Sequence, residues 1–257
     1  MIITLLTDFG LSDPYVGSMK GVILSINPDV RIVDITHDIS PQNVDEAAFV
    51  LKRVYSYFPR GTIHVVVVDP GVGGERAILA VQTKHFIFLA PDNGVLKFIF
   101  DENRDARVVR LTNRAYFLEK VSHTFHGRDI FAPAAAHVSK GVPLERLGES
   151  FHDYVVGNVK KPVEGKTEIV GEIIHIDKFG NGVSNIDGTL LKDRSKIKIR
   201  VKGHELDELC RAYTDVPVGE PLALVGSGGT LEISVHRGDA QQRMKFLVGD
   251  SVTVVFE

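Results

Sequence analysis

Cysteine is almost missing from this 257-residue chain, where Cys210 stands alone. A single thiol excludes an intrachain disulfide framework and a thiolate metal cluster. With no motif around it, Cys210 reads as a small buried apolar side chain rather than a nucleophile. An excess of positive charge is missing too. The formal net charge is -3, whereas neutralising phosphates requires a basic field, so nucleic acid is not the expected partner. The one basic cluster, Lys192 to Lys202, alternates like the solvated face of a strand. No apolar run reaches the ~18 residues of a membrane span, and the chain enters a strand-like segment directly, without a basic leader. A cytoplasmic protein with no membrane partner is expected. The remainder, 44% hydrophobic and 25% charged, is enough to build a substantial core in one large domain or two modest ones.

The densest information lies in His64 to Arg76, HVVVVDPGVGGER. Four consecutive valines predict a strand buried on both faces, and the run stops on Asp69. The glycines that follow let a ligand approach the backbone, and a carboxylate at the carboxyl end of a buried strand is a common α/β active-site arrangement. The plainer reading is that Asp69 only caps the turn. Repetition weighs against it. Met1 to Thr7 is an apolar run ending on Asp8-Phe9-Gly10, and His85 to Ala90 is another, ending on Pro91-Asp92-Asn93-Gly94. If these strands are parallel, Asp8, Asp69 and Asp92 share one sheet edge. Helix-like spacing over Pro14 to Asn27 and Val44 to Phe58 supplies the crossovers.

The pattern lapses over Phe151 to Thr167, and the period then changes. Short β-rich segments follow at Glu168–Ile176, Lys196–Val201, Pro221–Val225, Leu231–His236 and Ser251–Phe256, separated by glycine-bearing turns. The expected architecture is an α/β domain over residues 1–160 with a mainly parallel sheet, and a small β-barrel domain over 168–257. A ligand cleft is expected at their junction.

Three further motifs carry possible chemistry. In His123-Thr124-Phe125-His126-Gly127-Arg128-Asp129 the Ala-rich continuation predicts a helix with Asp129 as N-cap and Gly141 as stop. His126 then precedes a helix N-terminus, where an anionic or hydroxide-like guest is favoured; taken alone, it reads better as a hydrogen-bonded structural histidine. His64, Asp69, His123 and His126 are the residue types of a metal set, but His-x-x-His lacks the helical register of zinc hydrolases. The glycines 71, 73 and 74 do not fit a dinucleotide fingerprint, because position 76 is arginine. Asp177-Lys178-Phe179-Gly180-Asn181-Gly182 is either a hairpin turn or an adenine site, offering a ring to stack on and an amide for the base edge. Ser227-Gly228-Gly229-Thr230 is a loop or a backbone approach to a small carboxylate.

DFG, VVDPGVGGER, APDNG, TFHGRD and FGNG, in this order along essentially the whole chain, resemble the adenosine-forming S-adenosylmethionine hydrolases, also called hydroxide adenosyltransferases, which are related to the fluorinases and chlorinases. The resemblance implies an N-terminal α/β domain, a C-terminal β-barrel, and a homotrimer with active sites between subunits. It implies hydrolysis of S-adenosyl-L-methionine to adenosine and L-methionine with no cofactor and no metal. Asp69, Arg76 and His126 match the catalytic set of the hydrolase branch. Substrate contacts are implied for Asp8, Asp13, Gly127, Asp177, Phe179, Asn181, Ser227, Glu232 and Val235: Asp8 at the ribose, Phe179 and Asn181 at adenine, and Asp177, Ser227 and Glu232 at the methionine end.

The halogenase branch carries tyrosine where Asp69 and His126 stand, serine at Gly127, and a tryptophan after Thr36-His37. This chain has no tryptophan and no room for that branch's halide-associated loop. One difference from the halogenases bears on the methionine carboxylate: they carry arginine at Gly228. Two alternatives stay open at this point, halide-dependent adenosyl transfer and a non-catalytic sensor of S-adenosylmethionine or adenosine. The hydrolase chemistry is physically reasonable, because a sulfonium already leaves well. In-line attack of water at the ribose C5′ then needs positioning and general-base assistance, the latter on the scale of ~10²–10⁴ in rate.

Overall fold

A computed structural model describes residues 1–192 and 194–257. The chain divides into two compact units, Met1–Val159 and Lys160–Glu257. No helix among the described residues is long and apolar enough to cross a membrane.

The first unit runs β1 (Ile2–Thr7), α1 (Tyr15–Ile26), β2 (Arg31–Thr36), α2 (Val44–Val54), β3 (Ile63–Val67), β4 (Ile78–Gln82), β5 (Ile87–Pro91), α3 (Lys97–Glu102), β6 (Arg107–Leu111), α4 (Ala132–Ser139) and β7 (Gly148–Ser150). Among the described residues these strands form one seven-stranded sheet, ordered β2-β1-β3-β5-β4-β6-β7. The valine run behaves as its composition predicts. Val65 and Val67 pack on one face with Met19, Ile23, Ala132, Ala135 and Ala136, while Val66 and Val68 pack on the other with Ala47, Leu51, Ile99 and Phe100. Burial on both faces requires helices on both faces, and α1 and α4 serve one, α2 and α3 the other.

The sheet is mixed rather than mainly parallel. β2, β1, β3 and β5 run parallel, but β4 turns back antiparallel to β5 and β6, and β7 continues antiparallel to β6. The stretch AILAVQ after Arg76 supplies β4 at once, without a crossover helix, and an antiparallel return is what a short connection permits.

The second unit contains β8 (Val163–Glu164), β9 (Glu168–Ile176), β10 (Gly182–Asp187), β11 (Lys198–Val201), β12 (His204–Leu206), β13 (Leu209–Cys210), β14 (Pro221–Val225), β15 (Thr230–Val235), α5 (Ala240–Met244) and β16 (Ser251–Val255). Among the described residues these make a nine-stranded, nearly barrel-shaped sheet with the path β12-β11-β16-β9-β10-β15-β14-β13, β8 lying beside β9. Its core gathers Ile169, Ile173, Ile199, Val201, Leu231, Ile233, Phe246, Val252 and Val254. Of the basic cluster, Lys198 and Arg200 lie on β11, which alternates exposed and buried positions, and both pair with Glu205 on the adjacent strand; position 193 of the cluster lies outside the described residues. Cys210 is buried.

Candidate active site

Asp69, Arg76 and His126 come together. Asp69 lies just beyond the end of β3, after Val68, and a turn through Pro70-Gly71-Val72-Gly73-Gly74 returns the chain so that Arg76 faces it. The guanidinium grips the carboxylate with two nitrogens: Nε donates to Oδ2 at 3.0 Å and to Oδ1 at 3.1 Å, and NH2 donates to Oδ2 at 2.5 Å. The same NH2 lies 2.9 Å from His126 Nδ1. Arginine has no lone pair to offer, so it is the donor here, and Nδ1 must accept. The ring proton of neutral His126 therefore sits on Nε2. The set is largely enclosed, with side-chain exposures of 4% for Asp69 and 10% for Arg76. Burial, and then the Arg76 cation beside it, push the His126 imidazole below its ordinary pKa, which favours the neutral ring.

The two loops that carry this set are locked at one point. Gly73 has φ +77°, and a Cβ built on it would lie 2.1 Å from the carbonyl oxygen of His123. Only glycine allows this approach. His126 begins a π-helical turn, Gly127–Phe131, which leads into α4. Gly127 is packed tightly but less closely; a Cβ there would lie 3.1 Å from the Phe125 ring and 3.2 Å from Met19 Sδ.

Asp129 is not the expected N-cap. It lies inside the π-turn, fully buried, and its carboxylate accepts from Ser122 N and Oγ at 2.8 and 2.7 Å and from Arg128 Nε at 2.6 Å. It fastens the loop before the helix instead of the helix's first amides. Gly141 does follow the helix in a left-handed conformation, φ +89°.

The other strand-end carboxylates have separate partners. Asp8, after β1, accepts from Gln42 N at 2.8 Å. Asp92, after β5, accepts from Val155 N at 2.9 Å; its neighbour Asn93 reaches the residue just past β3, donating to Val68 O at 2.9 Å. Asp13 is exposed in the turn before α1. His64 is enclosed: Nδ1 contacts Thr4 Oγ1 at 2.8 Å, Phe88 stacks on the ring, and Tyr55, Phe58 and Phe86 surround it. Among the described residues, no group of three or more His, Cys, Asp or Glu side chains is arranged to hold a metal ion.

In the second unit the FGNG turn is organised by Asp177. Its Oδ1 accepts from Phe179 N and Asn181 N, both at 2.9 Å, and its Oδ2 accepts from Asn181 Nδ2 at 3.0 Å. This leaves the Phe179 ring 75% exposed while Asn181 is buried. Ser227 is exposed in the turn between β14 and β15. Glu232 is buried on β15 and accepts from Tyr213 OH at 2.7 Å and Ser234 Oγ at 2.9 Å; burial and that carboxylate push the Tyr213 phenol up to about 12. Val235 is a buried core residue at the end of the same strand.

Comparison with known proteins resolves the relationship. Residues 3–148 match the model of the SAM hydroxide adenosyltransferase N-terminal domain, and residues 171–253 match that of its C-terminal domain. The chain belongs to the SAM hydroxide adenosyltransferase family. Within that family it is 34% identical to the (R)-S-adenosyl-L-methionine hydrolase of Thermus thermophilus, over 97% of this chain and 98% of the relative. The fluorinase of Nocardia brasiliensis is more distant, 28% identical over 98% of this chain and 96% of the relative. A crystal structure of an uncharacterized conserved protein from Thermotoga maritima matches with a TM-score of 0.92 and 42% identity, covering 99% of this chain and all of that one.

Proposed function

We propose that the protein hydrolyses S-adenosyl-L-methionine to adenosine and L-methionine, by attack of water at the ribose C5′. The observation that carries this reading is the contact of Asp69 and His126 through one guanidinium. The family membership and the hydrolase names of its nearer relatives support it, and those names single out the (R) epimer at sulfur as the substrate to test.

The hydrogen-bond directions divide the labour. His126 has its Nδ1 lone pair committed to Arg76, so its free Nε2–H can donate to the water oxygen but cannot take a proton. Asp69 is the remaining base. As the water oxygen forms its bond to C5′, the C5′–S bond breaks and its electron pair stays on the sulfur of methionine. The proton released by water passes to Asp69 and then to solvent. The leaving sulfonium loses its charge in this step, so partial deprotonation of water suffices. Arg76 fixes both partners at once, gripping Asp69 through a planar fork of two nitrogens that the point charge of a lysine ammonium does not reproduce.

Asp8 is assigned to the ribose hydroxyls, Phe179 to one face of adenine and Asn181 to its edge, with one amide N–H of Asn181 already committed to Asp177. Asp13, Gly127, Asp177, Ser227, Glu232 and Val235 complete the proposed contacts, and no cofactor or metal enters. The site is assigned to a homotrimer, with the Asp69 set of one subunit facing Phe179 and Asn181 of the next.

The test is incubation of purified protein with each sulfonium epimer, with and without chelator. Stoichiometric adenosine and methionine, insensitive to chelation and lost in Asp69→Ala, is the expected result. Tight binding of intact substrate without turnover refutes the hydrolase and favours a sensor. A product that forms only with added halide favours the halogenase reading.

A further inference from the structure

We propose that His37 is a positioning residue for Asp8, acting through the Thr7 hydroxyl and its own main-chain carbonyl, with Asp34 and Lys20 holding its imidazole in register. This deepens the reading of Asp8 as the ribose acceptor and rests on it.

The geometry begins in the sheet. β1 and β2 pair in parallel with Leu5 opposite Asp34, but Leu6 is opposite Thr36, so one residue of β2 is skipped. That bulge advances the chain and brings His37 level with Thr7. Bulges of this kind re-aim side chains at the ends of strands. Thr7 Oγ1 lies 2.8 Å from His37 Nδ1 and accepts from Phe9 N at 3.3 Å. Gly10 N donates to His37 O at 2.8 Å. The Asp8-Phe9-Gly10 turn is therefore held by His37 at both ends, directly at Gly10 and through Thr7 at Phe9. The following segment closes over it, where Gln42, in a left-handed conformation at φ +65°, gives its N–H to Asp8.

In the neutral tautomer that suits these contacts, the Thr7 hydroxyl donates to His37 Nδ1 while Oγ1 accepts from Phe9 N. The imidazole then carries its proton on Nε2, which lies 3.0 Å from Asp34 Oδ1. This approach is close but poorly aligned for a hydrogen bond, and we read it as chiefly electrostatic. Lys20 Nζ donates to the other oxygen of Asp34 at 2.6 Å. Burial raises the Asp34 carboxyl, but Lys20 and His37 outweigh it, and the net direction is below the ordinary value. The His37 side chain is only 3% exposed, and burying an imidazole is costly unless its polar atoms are engaged. Here those contacts go to the Asp8 turn and to the Asp34–Lys20 pair rather than to the core.

The experiment compares two ligands by calorimetry, adenosine and 2′,3′-dideoxyadenosine, which lacks the hydroxyls assigned to Asp8. Thr7→Val keeps the side-chain shape and removes the hydroxyl; Asp34→Asn, at a partly exposed position, keeps the shape and removes the charge; Asp8→Ala is the reference. Thermal melts establish that each variant is folded. We expect Thr7→Val to weaken adenosine binding about tenfold and Asp34→Asn to weaken it to a smaller degree. Dideoxyadenosine binding is expected to stay unchanged in both, and Thr7→Ser to restore adenosine binding. Equal weakening of both nucleosides overturns the proposal, because it marks a general structural role. Unchanged adenosine binding in Thr7→Val overturns it as well. If the wild type itself binds the two nucleosides equally, the ribose role of Asp8 is refuted, and the positioning role falls with it. If wild type binds neither nucleoside and turns over nothing, the functional reading fails as a whole.

Discussion

Replacing Gly73 by alanine tests whether the close approach of two loops sets the catalytic geometry. Gly61 provides the control, because it shares the left-handed backbone, φ +83° against +77°, but a Cβ built there meets nothing within 4 Å. Both substitutions carry the left-handed cost of ~1–2 kcal/mol. At Gly73 the new Cβ also starts 2.1 Å from the His123 carbonyl oxygen, which is backbone and cannot rotate aside. A retreat of about 1 Å is needed to reach even a tight contact. Overpacking of this kind adds ~1–3 kcal/mol, for a total of roughly 2–5 kcal/mol. The displaced segment leads to His126, and a misplacement of ~1 Å costs on the order of 10²-fold in rate. Denaturant unfolding and single-turnover adenosine release measure the two effects. Gly61→Ala is expected to lose stability and keep its rate, while Gly73→Ala loses more stability and about two orders of magnitude in rate. Equal stability losses with both rates intact would refute the argument that this contact aligns the site.

Three further outcomes follow from the structure. Asp69→Asn is expected to lower the rate by ~10²–10⁴ with adenosine affinity retained, whereas Arg76→Ala also destabilises the fold by ~3–5 kcal/mol, since it strands an enclosed carboxylate; turnover and unfolding measurements on the two variants separate these. Burial pushes the His64 imidazole down to about 4. A histidine depressed when folded stabilises the fold fully above its unfolded value near 6.5 and loses that contribution as pH falls towards 4, by about 3 kcal/mol in all; His64→Phe should flatten this part of the stability–pH curve. Finally, mixing Asp69→Ala with Asn181→Ala protein, under conditions shown to exchange subunits, should restore some activity if sites form between chains, and mixed trimers as inactive as their parents would place both halves in one chain.

The parts of the fold legible in the sequence are those with an unambiguous local period. Val65 to Val68 could only be a strand covered on both sides, and strand-end placement of Asp8 and Asp69 followed from where apolar runs stop. β4 is hidden, because AILAVQ begins so soon after the Arg76 turn that it reads as part of the loop, and without it the sheet reads as mainly parallel. β10 is hidden because it opens on the glycine of a motif that reads as a turn. At the site, the residue types of Asp69, Arg76 and His126 were legible, but their contact spans 50 residues, and no local pattern encodes it. The role of Asp129 is hidden for a related reason: an aspartate before an Ala-rich helix fits a cap, and its true partners, Ser122 and Arg128, are distinguished only by the π-turn's geometry. His37 belongs to no motif, and nothing in VVDPGVGGER sets Gly73 apart from its neighbouring glycines, since their importance lies in a skipped strand residue and in an absent side chain.

The π-turn at Gly127–Phe131 makes the azimuth of His126 a matter of residue count. Such a turn holds one residue more than an α-helical turn, and one residue of α-helix corresponds to a rotation of about 100°. The Ala-rich helix beyond it is pinned by its packing against β1 and β3, so loss of a single residue from the turn would be absorbed on the His126 side. The imidazole would then swing away from Arg76 while the helix itself stayed in place. A change in chain length by one, with no change in composition of the site, is enough to dismantle it.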